Sequence, residues 1–306
     1  MDIFRFGRKR LIAAAFITFV CCALMVVFPT TAIWSARKGI SLWMTDVLPA
    51  LLPFFICANF LQNIGVIKLL KSGIFPFIMS VLSGYPMGAK IIGDLRREKE
   101  ITLNEAKRLM SFCSTSGPAF MVGAVGAGML GSGTPGAIIA CAHYIGAMAN
   151  GILFTGIFGK TQSSRMTAGH EKHVSIQGSF TDSIVMSLKS LGIILAYIVI
   201  FMFVTDLMHL SGILSLAPCQ EMRALIKGIV EMTVGCGAVA ECTAATDGIK
   251  CILCSFIISW GGLSIMGQTM SMLSGTGISM RYIFVSKLTH GLFSAAAAFL
   301  IVTFVL

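Results

Sequence analysis

Between residues 73 and 130 the apolar character of the chain is broken twice, at Ser83-Gly84-Tyr85-Pro86 and at Ser114-Thr115-Ser116-Gly117-Pro118. Proline removes a backbone donor and glycine weakens a helix, so each cluster interrupts a helix otherwise apolar enough to enter a membrane. Backbone freed at membrane depth survives only where protein or a water-filled cavity satisfies it. Two breaks rich in hydroxyls therefore predict a polar site inside a membrane protein. The same grammar occurs a second time. GIVEMTVGCG at 228–237 matches the first break at a displacement of about 147 residues, and IISWGGLSIMGQ at 257–268 matches the second at about 145. Glycine-interrupted hydrophobic segments in corresponding places of two halves point to a transporter's binding site.

Composition sets the class. The 306 residues are 56% hydrophobic and 12% charged, with mean hydropathy +0.87, whereas a soluble domain carries about 25% charged residues. This is an all-α polytopic membrane protein. The net charge of +10 fits Lys and Arg in cytoplasmic loops and against anionic lipid. No polar stretch is long enough for a nucleic-acid module, so membrane lipid is the expected partner and nucleic acid is not. The ten Cys residues are scattered through apolar runs and read as small buried hydrophobes. Cys251-x-x-Cys254 has no second pair and no His at ligand spacing, so no metal and no cofactor are expected. No nucleophile stands beside a base, and an enzyme is not expected. Nothing in the sequence marks an oligomeric state.

The pattern predicts an N-terminal unit at 1–45: an uncleaved transmembrane helix over about 11–32 and an interfacial helix at 33–45 carrying Trp34 and Trp43. A first repeat covers 46–159. It comprises a helix at 46–66 kinked by Pro49 and Pro53, a re-entrant hairpin at 72–92 turning at 83–86, and a helix opened by the capping box Thr102–Glu105, broken near Gly117-Pro118 and continuing to about 130. A span at 137–158 closes the repeat. A cytoplasmic linker spans 160–181. The second repeat, 182–306, follows the same order: a span at 182–209, a broken hairpin at 222–247, a broken helix at 249–275 and a last span at 282–306. Three crossings plus one re-entrant hairpin per repeat would invert the second half. Eighteen of the 23 Lys and Arg then fall on the cytoplasmic side, Lys287 among them, as the positive-inside rule requires.

The breaks also supply the candidate site residues. Ser83, Gly84 and Tyr85 precede the half-helix that starts near Pro86. Ser114, Thr115 and Ser116 precede the one after Pro118, and Ser259 and Ser264 flank Gly261-Gly262. Exposed N–H groups at half-helix N-termini favour anions, and the hydroxyls would complete a cage. Lys90 lies one turn from the first break, and a charge at membrane depth is functional by default. Glu231 sits in the corresponding break. It would take a coupling proton or Na+, or pair with Lys90 when the site is empty. Thr233 and Gln268 are candidates of the same kind. His143, His209 and His290 read as isolated packing residues, and Asp206 and Asp247 as residues of the outer surface.

SGYPMGAK (83–90), the EAKRLMSFC run with SGPAF after it (105–120) and ISWGGLSIMGQ (258–268) closely resemble the YlbJ-type sporulation integral membrane proteins, of the nucleoside-recognition or Gate domain group. The resemblance covers residues 45–306. It implies a multi-pass protein of the outer forespore membrane of an endospore-forming bacterium that moves dipicolinic acid toward the spore. Dipicolinate is a planar dianion, and a site for it needs cationic or N–H donors, hydroxyls and a flat apolar wall. The competing readings are a carrier of a nucleoside-like or other small solute, and a membrane interaction protein without transport.

Overall fold

The computed structural model describes residues 2–64, 74–159 and 176–305. Among them the regular structure is helical throughout: α1 (Asp2–Val27), α2 (Pro29–Leu42), α3 (Leu48–Asn63), α4 (Ile74–Ser83), α5 (Met87–Arg97), α6 (Leu103–Cys113), a wide-turned π-helix (Ala119–Met129), α7 (Gly133–Phe158), α8 (Ile176–Leu210), α9 (Gln220–Val230), α10 (Met232–Ala240), α11 (Asp247–Trp260), α12 (Gly262–Met272) and α13 (Met280–Val305). Most of the predicted linker 160–181 lies outside the described residues, as do Lys68, Lys71, Lys160, Arg165 and Lys172 of the charge balance. Where the chain resumes, 176–181 is not linker but the first turns of α8.

Four helical stretches are long and apolar enough to cross a membrane: Gly133–Phe158, Gly178–Leu210, Asp247–Met272 and Met280–Phe304. A fifth candidate is the pair Ala15–Val27 and Pro29–Thr45, bent by 104°. The first helix ends at Val27, short of the expected 32, because Pro29 opens a new helix at its first turn. The stretch expected as the interfacial helix, 33–45, packs on the rest of the molecule through α2. Ser35 and Gly39, one turn apart and both buried, form a small-residue face on which α2 packs along α8. There Ser35 donates to Asp206 at 2.5 Å, and Trp43 Nε1 reaches the Leu191 carbonyl at 3.1 Å. Packed helices in lipid are held by such small residues and polar ties. α3 joins the same face through Asn59 and Asn63, whose amides donate to Ser187 and Ser183 at 2.8 and 2.9 Å.

The element order recurs. α4 ends at Ser83 and α9 at Val230, 147 residues apart. α7 and α13 begin and end 147 residues apart, and α5 and α10 begin 145 apart. The halves interlock rather than sit side by side. α7 packs along α13, α5 of the first half contacts α12 of the second, and α10 of the second contacts the wide-turned helix of the first. Asn150 of α7 ties α6 to α13, its amide donating to the Ser111 and Ser286 carbonyls at 2.8 and 3.0 Å. At the far end of α5, Arg97 donates to the Met272 carbonyl at 2.9 Å. The two large apolar clusters each draw residues from both halves, so the breaks lie within one shared core.

Candidate functional site: four chain breaks around a buried lysine

The four breaks meet in pairs. Gly84 has φ +74°, and a Cβ on it would lie 2.8 Å from the Gly117 nitrogen. The first two breaks are therefore in backbone contact. Gly262 has φ +75°, and a Cβ there would lie 3.0 Å from the Val230 carbonyl and 3.3 Å from Glu231 Cα. The last two breaks touch in the corresponding way. Ser80 and Thr115 join the first pair by a 2.6 Å hydroxyl–hydroxyl bond, and Trp260 Nε1 joins the second by donating to the Ile229 carbonyl at 3.1 Å.

Polar side chains then connect one pair to the other. Tyr85 donates its hydroxyl proton to the Ile258 carbonyl at 3.1 Å. The Ser116 N–H donates to His143 Nε2 at 2.9 Å, and His143 Nδ1 is 2.7 Å from Ser259 Oγ. Because Nε2 accepts, the neutral ring carries its proton on Nδ1 and donates to Ser259, which donates on to Ser294 at 2.8 Å. Tyr144 donates to the Ser116 carbonyl at 3.0 Å. His290 Nε2 donates to the His143 carbonyl at 3.0 Å, and the two rings stand 4.7 Å apart. Lys287 reaches in from α13, donating to the Ser114 carbonyl at 2.7 Å with its ammonium 3.9 Å above the Tyr85 ring.

The sequence comparisons bear on this arrangement. The chain is 28% identical over 338 aligned positions to "Sporulation integral membrane protein YlbJ" of Bacillus subtilis (strain 168), an alignment covering 95% of this chain and 82% of that protein. That likeness supports a YlbJ-type sporulation membrane protein. No family model matches the chain, and no solved structure does.

The candidate residues separate into two groups. Gly84, Tyr85, Ser114, Thr115, Ser116 and Ser259 are all at or between the meeting breaks, as the contacts above place them, and Ser83 is buried beside Gly84. Glu231 is there too, but its carboxylate accepts from the Val234 N–H at 2.8 Å and so caps α10. Thr233 follows it in the first turn of α10. Ser264 and Gln268 are buried one turn apart on α12 and bonded to one another at 3.3 Å.

Lys90 has its charge partner on its own helix. It pairs with Asp94 at 2.9 Å, and Arg97 holds the other side of Asp94. The expected Lys90–Glu231 pair does not form, because each group has a nearer partner within its own helix. Two further readings change. His143 is not isolated: its ring bridges the second and fourth breaks. Lys287 is not a cytoplasmic surface charge, since its side chain is 3% exposed. It lies seven residues into α13, about 10 Å along the helix.

Proposed function

We propose that the chain is a membrane transporter of a small organic anion, dipicolinate by its YlbJ-type likeness, working across the outer forespore membrane during sporulation. One observation carries the reading: four interruptions, two from each half, meet in one buried polar centre that holds hydroxyls, half-helix ends and a lysine. Irregular backbone at membrane depth lines a substrate path in known transporter architectures. In this reading the two repeats have inverted membrane orientation and the substrate binds between them near the midplane. The two hairpins, each with its broken helix, rock against the remaining spans to expose the centre to one side and then the other. A proton or Na+ taken up at the buried polar groups is the coupling step in this scheme.

The test is uptake of labelled dipicolinate into vesicles containing the purified full-length protein, with empty vesicles as the baseline. Uptake above that baseline, competed by unlabelled dipicolinate, is expected. Uptake of a nucleoside with none of dipicolinate would replace the substrate assignment. No uptake of either would end the transporter reading.

A further inference from the structure

Among the described residues, the buried Lys287 side chain has no carboxylate partner. Its partners are a backbone carbonyl and the face of a tyrosine ring. Both are partial negative charges, and neither neutralises an ammonium held away from water. Among the described residues the ion pairs are Lys90–Asp94 and Arg97–Asp94, and the Glu231 carboxylate is engaged by the start of α10. A second observation points the same way. Ser83, on the break that carries Tyr85, is 3% exposed and its hydroxyl has no partner. The helix that follows, α5, begins with no side chain capping its first N–H groups.

We propose that Lys287, Ser83 and Tyr85 form the carboxylate end of the substrate site, on the first-half side of the centre, and that the site takes planar aromatic carboxylates. The ammonium exchanges the Ser114 carbonyl for a substrate carboxylate, which the Ser83 hydroxyl also reaches. The Tyr85 ring, uncovered as the lysine moves, becomes the flat wall against the substrate's ring. The residue 147 positions before Lys287 is Ala140 of the first half, so the second pair of breaks has no matching cation and one carboxylate is held in this way. The inference rests on the anion-carrier reading and adds to it the side and the residues.

The test uses purified full-length protein, calorimetric binding of pyridine-2,6-dicarboxylate, pyridine-2-carboxylate and acyclic glutarate, and vesicle uptake in parallel. Lys287→Met weakens binding of both pyridine carboxylates by about thirtyfold or more. The ligand-free melting temperature holds or rises, because an unpaired buried charge has gone. Tyr85→Leu removes the preference for a ring over glutarate. A folded Lys287→Met protein with unchanged affinity overturns the assignment. So does a variant that melts much lower or fails to fold, since Lys287 would then be a structural tie to Ser114. If the unaltered protein neither binds nor carries any carboxylate, the anion-carrier reading itself fails. If the protein and Lys287→Met both carry dipicolinate equally well, only the residue assignment fails.

Discussion

The two pairs of breaks share a backbone geometry and differ in chemistry. In the first, residue 84 is a glycine in contact with Gly117. In the second, the corresponding residue 231 is a glutamate in contact with Gly262. Glu231 fills the N-terminal end of α10 with the protein's own carboxylate, satisfying the helix dipole and an orphan N–H at once. Gly84 leaves the end of α5 without such a group, and Lys287 crosses from the second half to stand beside it. One pair is thus self-neutralised and the other has unmet demand for an anion. In the proposed reading, two similar frames do different work: the second pair is a built-in copy of a filled site, and the first takes the ligand.

The largest expected effect tests whether the shared geometry is needed at all. Gly84→Ala forces a side chain into a left-handed backbone and against the Gly117 nitrogen. Strain of that kind costs about 1–3 kcal/mol and backbone overpacking about as much again. Gly262→Ala meets the Val230 carbonyl at a slightly longer 3.0 Å. Both variants should melt well below the parent in a thermal scan followed by size exclusion, with Gly84→Ala the worse. Equal tolerance of both would mean that the breaks do not depend on close contact.

A middle effect separates two histidines that lie 147 residues apart. His143 bonds the second and fourth breaks, whereas His290 donates to a single carbonyl. His143→Phe strands the buried Ser116 N–H and takes a donor from Ser259, for which about 2 kcal/mol is the expected loss. His290→Phe should cost about 1 kcal/mol. Denaturation in mild detergent, ranked for the two variants, checks the order; a larger loss for His290→Phe would reverse the assignment of His143 as the bridge.

The breaks were legible because glycine and proline act on their own backbone, so Ser83–Pro86 and Gly261-Gly262 mark themselves without a partner. The Thr102 cap is equally local, and its oxygen does accept from the Glu105 N–H. α7 begins four residues before the span expected at 137, since Pro135 and Gly136 look like loop residues in sequence. A proline in a first turn has no N–H to lose, and Ser132 caps the helix ahead of it. What sequence reading missed acts at a distance. Lys287 meets Ser114 across 173 positions and His143 meets Ser259 across 116, and no periodicity encodes either contact. One signal was available: His143 and His290 repeat at the same 147-residue displacement as the breaks. The i, i+4 spacing of Lys90 and Asp94 likewise announced a partner within one helix.

The smallest effect sharpens the contrast between the two buried lysines. Lys90 and Lys287 are similarly hidden, at 5% and 3% exposure, and only their partners differ. Lys90 faces Asp94, which keeps Arg97 when the lysine is removed. Lys90→Met should therefore leave dipicolinate affinity at the parental value. Calorimetric titration beside Lys287→Met makes the comparison direct. A loss of affinity in Lys90→Met as large as in Lys287→Met would mean that burial of a positive charge anywhere near the breaks governs anion binding. Parental affinity in Lys90→Met, with loss in Lys287→Met, ties the anion to the cation that the fold leaves without a carboxylate.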